Sequence, residues 1–443
     1  MKLSLLLGLL PLALALDNQA LAPVLEPRAV KQSNFDNQTY WEVLAKSQGR
    51  SLCFLRTGYG KEDDALKISD ALNKKCRKKG MVVFPDKVYH MKSNITTMKL
   101  DDVHIHQKGR LRWSTDIDYW LSVSMPIGFQ NQSTVWYFGG DKVVWDGYGH
   151  GTLDGNGQVW YDWAAGRGNL PHRPMMINFN KFTNSIVRGM RFVQSQMWTM
   201  TTTHSKNLVF DNIFVNNTSN SKHSTLNTDG IDTIWSDNIT LSRWDVTSGD
   251  DNIALKGNSS NIRVLDSIFR GGQGLAIGSL GQYKGQYEHI ENFYARNITM
   301  LGTKYVIYLK TWPGVQDGYP PNGGGGGLGH GKNIVVEDVT IDTGRGTPFW
   351  FQQCEQYQGN QGKDCDSSKF TFSDIYFKNV KGTMRNDGAE KAAYLRCSLA
   401  GGCKNVTIEN FGVTLKDDKA VLDRFLCSNV KDTHGFKCQD ITS

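Results

Sequence analysis

The sequence predicts an all-β fold, a single-domain right-handed parallel β-helix with a short N-terminal capping helix. Asn followed by a β-branched or apolar residue recurs with spacings of 23, 31 and 23 residues, at Asn184, Asn207, Asn238 and Asn261. This interval is typical of one coil of a solenoid. A second short apolar stretch follows each phrase, so two or three strands per coil are expected. A β-propeller or sandwich is disfavoured, because blade signatures and regular short hairpin turns are absent.

The first residues have the composition of a secretory signal peptide. One lysine, Lys2, precedes an apolar stretch, and small residues follow at Ala13 and Ala15. The stretch is too short for a membrane span, and the alternative is a buried N-terminal helix. We therefore predict a signal peptide over 1–15, one β-helix domain over 16–443, and a secreted, extracellular protein.

The next element in order is a helix over Asp63–Gly80. Ala65, Leu66, Ile68 and Leu72 recur there at helical spacing, and glycine ends helices well. Beyond it the sequence is strand-like and punctuated by Gly and Asn. Asn is suited to the turns of a β-helix because it tolerates left-handed backbone geometry and can form ladders between coils.

One segment interrupts the coil pattern. Pro313–Gly331 holds Pro320, Pro321 and an unbroken run of glycines, a composition that excludes a regular strand. The segment is predicted to be a long loop between coils. It either closes one end of a groove or is a disordered insertion.

The cysteine content agrees with secretion. The chain has eight cysteines and no CxxC pair, which favours disulfides over zinc. Neighbouring cysteines are expected to pair, although sequence does not fix connectivity. The expected pairs are Cys53/Cys76, Cys354/Cys365, Cys397/Cys403 and Cys427/Cys438.

Glycosylation sequons are frequent, as on a secreted surface. They occur at Asn37, Asn94, Asn131, Asn216, Asn217, Asn238, Asn258, Asn297 and Asn405. The net charge of +7 favours an anionic partner, which outside the cell is an acidic polysaccharide rather than a nucleic acid.

Three aspartates carry the candidate chemistry. Asp229 follows Asn227 and Thr228, and Asp250 and Asp251 lie one predicted coil later. Hydrolysis of a glycosidic bond needs one protonated carboxyl to protonate the leaving oxygen and a second group to activate water. Mutual repulsion of stacked carboxylates raises at least one pKa, which keeps the acid protonated. An isolated Asp-Asp pair is more often a solvated turn or a calcium ligand, so the coil spacing decides the interpretation.

Four ordered motifs resemble the polygalacturonases of glycoside hydrolase family 28. They are Gly151–Gly157 with Trp160, Leu226–Asp232 with Ser248–Lys256, Gly272–Tyr283, and Tyr308–Gly314. The resemblance covers roughly residues 50–430, and it is most marked toward the fungal exo-acting members.

The resemblance implies an open cleft on a β-helix and single-displacement inversion on pectic polysaccharide, without metal or cofactor. It implies that Asp250 is the general acid and that Asp229 and Asp251 hold the attacking water. Inversion needs carboxyl groups about 6.5 to 9.5 Å apart. The expected partner is pectic polysaccharide or oligosaccharide, with no nucleic acid and no membrane, and the protein is expected to be a monomer.

Two departures from the family pattern concern substrate contacts, for which Asn227, Gln273, Tyr308 and Lys310 are the candidates. Gln273 occupies the position of the family histidine that assists the acid, and glutamine does not titrate. His223 and His289 are possible replacements, although a lone histidine is more often structural. Tyr308 replaces an arginine whose fork binds a uronate carboxylate, so only the point charge of Lys310 remains.

The sequence therefore favours an exo-acting hydrolase that removes terminal galacturonate from polygalacturonate. The loss of the arginine leaves removal of terminal rhamnose, by an alpha-L-rhamnosidase or exo-rhamnogalacturonan hydrolase, as the alternative. A non-catalytic pectin-binding protein is the second alternative, and a lyase is disfavoured. The tryptophans considered as sugar platforms, each of which more often packs in a core, are Trp160, Trp163, Trp198 and Trp350.

Overall fold

The computed structural model describes residues 32–354, 364–386 and 390–441. The predicted signal peptide lies outside these ranges. In them the chain winds into a right-handed parallel β-helix, and 30 strands join one sheet through parallel pairing between successive coils. The predicted fold class is confirmed.

The strands form three stacked faces. The first, which we call the cleft face, comprises Ile95–Asp101, Trp136–Asp141, the start of Ile177–Arg188, Met200–Thr203, Ile231–Ile234, Ile253–Leu255, Leu275–Leu280, Ile307–Thr311, Phe349–Gln352, Ala393–Arg396, Phe425–Ser428 and Gln439–Asp440.

The second face comprises Ser51–Phe54, Gly80–Phe84, His104–Gln107, Val144–Asp146, Lys206–Asp211, Asp237–Ser242, Ser259–Gly271, Glu288–Leu301, Gly329–Gly344, Thr371–Met384, Cys403–Leu415 and Val430–His434. The third face begins with Val88–Met91, Arg110–Trp113, Thr152–Asp154, Arg191–Val193, Phe214–Asn216 and Asp245–Ser248. From Ser259–Gly271 onward the long strands of the second face bend to continue the third.

A separate small sheet packs beside the cleft face. It comprises Met125–Pro126, Ser133–Thr134 and Pro174–Met175.

The described helices are short and lie outside the coil stack. They are Gln32–Phe35, Gln38–Ser47, Asp64–Asn73, Ile117–Val123, Gln158–Ala164 and the 3-10 turn Cys365–Ser367. The helix predicted over Asp63–Gly80 begins correctly, because the side chain of Asp63 caps it by accepting from the Ala65 amide. Its predicted end is wrong: the helix stops at Asn73, and Gly80 opens a strand. The disulfide between Cys53 and Cys76 joins the strand Ser51–Phe54 to the segment that follows this helix.

The repeated asparagines form the predicted ladders. Asn184, Asn207 and Asn238 all have positive φ, and the Nδ2 atoms of Asn207 and Asn238 donate to the Oδ1 of the preceding rung at 2.8 and 2.9 Å. Asn292 and Asn333 continue in the same way above Asn261, which itself donates to Asp237. A residue that tolerates left-handed geometry and also hydrogen-bonds sideways is thus required once per coil.

Apolar side chains that point inward from all three faces form the core. Phe179, Phe210 and Trp244 are among those that are fully buried. No helix in 32–354, 364–386 or 390–441 is long and apolar enough to span a membrane.

The four predicted disulfides are all present, and Cys438 is the member that differs from the rest. The other seven half-cystines are buried, whereas Cys438 is partly exposed and lies in the irregular segment between Val430–His434 and Gln439–Asp440. Its bond to Cys427 therefore ties the last turn of the chain to a cleft-face strand at the open end of the stack, rather than lying inside the core. The bonded pairs are Cys53–Cys76, Cys354–Cys365, Cys397–Cys403 and Cys427–Cys438.

One asparagine of the predicted sequons is buried in the folded protein. Asn217 is only 2% exposed, and its Nδ2 donates to Thr199 Oγ1 at 2.7 Å. A glycan on this nitrogen would have no room in the folded chain, so the neighbouring Asn216 is the better acceptor of the two.

Candidate active site

The three predicted aspartates lie together at the edge of the cleft face. Asp229 precedes the strand Ile231–Ile234, and Asp250 and Asp251 precede Ile253–Leu255. Ile231 pairs with Ile253 in parallel register, so the two clusters occupy adjacent coils. One carboxylate oxygen from each of Asp229, Asp250 and Asp251 lies within 4.8 Å of the others.

This spacing corrects the expected separation. The nearest oxygens are closer than the roughly 6.5 to 9.5 Å typical of inverting glycosidases. The expectation used the range that is general for inverting glycosidases, whereas strand pairing on adjacent coils sets a spacing of about 4.8 Å. Stereochemistry therefore has to be measured at the anomeric centre of the product.

Asp229 is a buried member of the set. It is 3% exposed, and its Oδ1 has no hydrogen-bond partner in the described chain. Burial, and then the charges of Asp232, Asp250 and Asp251, raise the pKa of Asp229 well above its usual range. The cluster therefore retains protons at pH values where free aspartate is ionised.

Asp250 is partly exposed and held by backbone and amide donors. Its Oδ2 accepts from the backbone N and from Nδ2 of Asn227, at 3.2 and 3.3 Å, and its Oδ1 accepts from the Asp251 amide at 3.0 Å. Burial, and then the charge of Asp251, raise the pKa of Asp250. Asn227, predicted as a substrate contact, thus fixes the orientation of this carboxyl group.

Asp251 forms a buried ion pair with Lys310. Lys310 Nζ donates to Asp251 Oδ2 at 3.0 Å, and the two residues are 8% and 1% exposed. The ammonium of Lys310 therefore fixes the position of the Asp251 carboxyl group in the cluster. The role of Lys310 in substrate binding stays a prediction.

A second buried pair was missed by the sequence reasoning. Lys256 Nζ lies 3.2 Å from Asp232 Oδ1 and donates to the carbonyl of Gly278. Burial raises the pKa of Asp232 to about 7 despite the charge of Lys256. Both residues lie within the quoted motifs, but their facing positions depend on strand register.

Arg173 was also missed. It is 1% exposed, its Nε donates to the carbonyl of Gln196, and its two Nη atoms have no partner in the described chain. Burial lowers the pKa of Arg173 to about 10, against the charges of Tyr161, Asp229 and Asp250. Nothing in the sequence indicated that this arginine lies near the aspartates, because those aspartates follow it by more than one coil.

Gln273 lies beside the general-acid candidate. Its backbone N donates to the carbonyl of Asp250 at 2.9 Å, and its buried Oε1 has no partner in the described ranges. The preceding Gly272 has φ +69°, and a Cβ there would lie 2.4 Å from the Asp250 carbonyl. The proposed replacement His289 lies on the second face, stacked on His330.

Gln282 joins two segments that we interpret as the closure of one end of the cleft. Gln282 is 1% exposed, its Oε1 accepts from Gln130, and its Nε2 donates to the carbonyls of Pro321 and Gly323. The predicted loop is confirmed, although the strand that follows it begins at Gly329. Gln282 thus links this loop to Gln130, which precedes Gln282 by 152 positions.

A neighbouring hydrogen bond extends the closure. Asn169 donates from its backbone to Asn227 Oδ1 at 2.7 Å and from Nδ2 to Asn322 Oδ1 at 3.2 Å. Trp160 and Trp198 are buried packing residues rather than platforms.

Glu288 holds the backbone next to Gln282 in place by accepting a hydrogen bond. It is 4% exposed, its Oε2 accepts from the Gly281 amide at 2.7 Å, and burial raises the pKa of Glu288 to about 7. The folded state therefore keeps a proton that the unfolded chain releases above pH ~4.3, so stability declines as pH rises from about 4.5 to 7.

Glu288→Gln is expected to remove up to about 3 kcal/mol of this decline in the free energy of unfolding. The amide oxygen still accepts from Gly281. Denaturant unfolding of both proteins at several pH values between 4.5 and 7.5 measures the slope. Identical slopes would show that Glu288 titrates normally.

Asp229, Asp250 and Asp251 are also the one group in the described chain with oxygens close enough to share a metal ion. The ammonium groups of Lys256 and Lys310 already supply positive charge to this cluster.

Comparisons with known proteins agree with this geometry. A model of Glycosyl hydrolases family 28 matches residues 86–438. An alpha-L-rhamnosidase of Aspergillus niger is 43% identical over 390 residues, covering 88% of this chain and 90% of its own. An exopolygalacturonase of Cochliobolus carbonum is 32% identical over 383 residues, covering 86% and 84%.

Solved structures share the fold. The endo-xylogalacturonan hydrolase of Aspergillus tubingensis has a TM-score of 0.74 at 24% identity, covering 89% of this chain and all of its own. An exopolygalacturonase of Thermotoga maritima has a TM-score of 0.64 at 18% identity, covering 89% and 96%.

Proposed function

The chain belongs to Glycosyl hydrolases family 28, and we propose that it is an exo-acting hydrolase of pectin that removes terminal galacturonate from chain ends. The closure by Gln130, Gln282 and the loop around Pro321 carries the exo assignment. A chain cannot extend past a closed end, so one terminal sugar is accommodated beyond the aspartates. The relatives named above include an exopolygalacturonase.

The proposed mechanism uses the three carboxyl groups in different protonation states. Asp250, whose pKa is raised and which is the most exposed of the three, protonates the leaving oxygen. Asp251, which is paired with Lys310, and Asp229 hold the attacking water. Gln273 replaces the assisting histidine beside Asp250, so the proton on Asp250 is controlled by burial and by its neighbouring carboxylates.

Galacturonate as the released sugar is supported by the exopolygalacturonase among the relatives. Arg173 adds positive charge near Asp229 and Asp250, but its two Nη atoms are buried and lie out of reach of a sugar carboxylate.

Rhamnose is the second candidate. The buried carboxylates of Asp251 and Asp232 pair with Lys310 and Lys256, and Tyr308 replaces the family arginine. A rhamnosidase is also 43% identical to this chain. A neutral terminal sugar suits a cleft whose cations already pair with carboxylates.

Product analysis separates the candidates. Trigalacturonate and an aryl alpha-L-rhamnoside are incubated with the enzyme, and released sugars are separated by chromatography. Monomeric galacturonate from the first supports the proposal, and dimeric products contradict the exo assignment. Rhamnose release alone supports the second candidate.

Saturable pectin binding without new reducing ends at any pH from about 3 to 8 would indicate a binding protein. Proton NMR of the first product determines whether the anomeric configuration is inverted.

Gln273→His tests the departure from the family pattern. A titrating imidazole beside Asp250 is expected to raise kcat or to shift the pH optimum, because it can carry charge near pH ~6.5. The pH dependence of kcat for the variant and the parent measures this. Identical profiles would show that the position has left the mechanism.

A further inference from the structure

An aromatic strip leads away from the aspartates on the open, C-terminal side of the cleft face. It consists of Tyr305, Tyr308, Trp350 and Tyr394. Tyr308, Trp350 and Tyr394 pair in register on three consecutive coils, and each is partly exposed.

The strip begins at the catalytic centre. The backbone N of Tyr305 donates to the carbonyl of Gln273, and Lys310 Nζ lies 4.9 Å from the Tyr308 ring while it binds Asp251. Tyr308 is thus separated from the aspartates by one lysine side chain.

The rings of the strip contact one another along the coil axis. Ring centroids of Tyr305 and Tyr308 are 4.9 Å apart, those of Tyr305 and Trp350 are 5.9 Å apart, and those of Trp350 and Tyr394 are 4.4 Å apart. Trp350 Nε1 donates to Gln352 Oε1 at 3.0 Å, which fixes the indole. Tyr305 is only 6% exposed and packs against Tyr308 and Trp350. The apolar band that a ligand can reach therefore consists of the partly exposed rings of Tyr308, Trp350 and Tyr394.

Positive charge flanks this band. Lys304 Nζ lies 5.0 Å from the Tyr305 ring centroid and Lys391 Nζ lies 5.7 Å from that of Tyr394. Exposed Arg345 donates to the carbonyl of Gly272 at 2.8 Å. Apolar band and cations together suit an acidic oligosaccharide, which has apolar C–H faces and carboxylates.

From this arrangement we propose that the strip of Tyr305, Tyr308, Trp350 and Tyr394 binds the leaving-group side of an acidic pectic chain, about one sugar per coil. The proposal rests on the proposed function for direction: the closed end takes the terminal sugar, so the rest of the chain extends toward Trp350 and Tyr394. Coils rise by about 4.8 Å, which is comparable to one pyranose ring.

The test measures how kcat/KM depends on chain length. The substrates are oligogalacturonates of increasing length, the corresponding rhamnogalacturonan oligosaccharides, and an aryl glycoside of the sugar that the enzyme releases. Trp350→Ala is expected to lose about tenfold in kcat/KM on chains of three or more sugars, since aromatic contacts contribute about that factor. It should stay within twofold on the aryl glycoside. Tyr394→Ala should affect only longer chains.

Trp350→Phe retains a ring and should recover most of the lost kcat/KM. Tyr376→Ala, a partly buried tyrosine on the second face that donates to Glu409, is the matched control and should leave the length dependence unchanged. An equal loss on aryl glycoside and oligosaccharide would give Trp350 a purely structural role, and no loss on either would also overturn the proposal.

Calorimetric titration of the same oligosaccharides into the parent and Trp350→Ala keeps the two proposals separable. If the parent hydrolyses none of the substrates, the proposed function fails, but a tenfold weaker Kd in Trp350→Ala still supports the strip. Equal affinities, or no binding by the parent, overturn it.

Discussion

Asp250→Asn is expected to lower kcat on pectic oligosaccharides at least ~100-fold, because positioned proton transfer to a leaving group contributes about 10² to 10⁴. An amide cannot donate the proton that the sugar oxygen requires. Asn227 and the Asp251 amide donate to different oxygens of Asp250, so the single oxygen of the asparagine keeps only one of these sets of hydrogen bonds. The fold is still expected to be retained, because Asp250 is partly exposed. Initial rates at saturating substrate measure the loss.

The leaving group distinguishes acid from base. A substrate whose leaving group needs no proton, such as a dinitrophenyl glycoside, should restore most of the activity of Asp250→Asn. It should not restore Asp229→Asn, in which the held water is lost. The pKa of Asp229 is raised well above its usual range, a property that a general acid also has. The leaving-group test is therefore needed to assign the two roles. Rescue of Asp229→Asn instead would exchange the two roles.

Asp266→Asn is the matched control for these variants. Asp266 has φ 51° and lies within the long strand Ser259–Gly271, where it accepts from Asn297. Asparagine tolerates the same backbone geometry, so activity near the parent level is expected. A comparable loss in Asp266→Asn would show that the effects come from folding.

The fold was predictable because its signal is local and repeated. One residue per coil must adopt a left-handed conformation and hydrogen-bond sideways, and Asn207 and Asn238 do both. Disulfides also join near neighbours, with separations from 6 to 23 residues.

The end of the helix at Asn73 was missed because Lys74–Lys79 is polar and compatible with a helix, whereas the disulfide at Cys76 requires a turn. The partial exposure of Cys438 was equally hidden, because pairing by proximity does not reveal which half-cystine lies beyond the last full coil.

The site was only partly predictable, because its electrostatics are set by register. The aspartates could be recognised from their motifs and coil spacing. The pairing of Lys310 with Asp251 spans 59 positions, and the contact of Gln130 with Gln282 spans 152. No local pattern encodes either, and Arg173 lies in an irregular segment.

Lys310→Met is expected to cost about 3 to 5 kcal/mol in the free energy of unfolding at neutral pH. The variant leaves the carboxylate of Asp251, 1% exposed and with its Oδ1 unpartnered in the described chain, without its ion pair. The penalty should disappear at acidic pH, where the carboxyl group is neutral. Denaturant unfolding at pH 7 and at pH 4 measures both values. Lys332→Met, an exposed lysine on the second face, should change neither.

The same variant determines what Lys310 does in catalysis. If Lys310 acts through its ion pair with Asp251, which holds the attacking water, its loss lowers kcat and leaves KM near the parent value, because the interaction acts in the transition state. Lys310→Arg keeps the charge and should recover most of kcat. A substrate contact behaves differently: KM for a uronate substrate rises and kcat stays near the parent value. The second outcome would return Lys310 to substrate binding and leave Lys256 as the other buried ammonium that acts on the cluster.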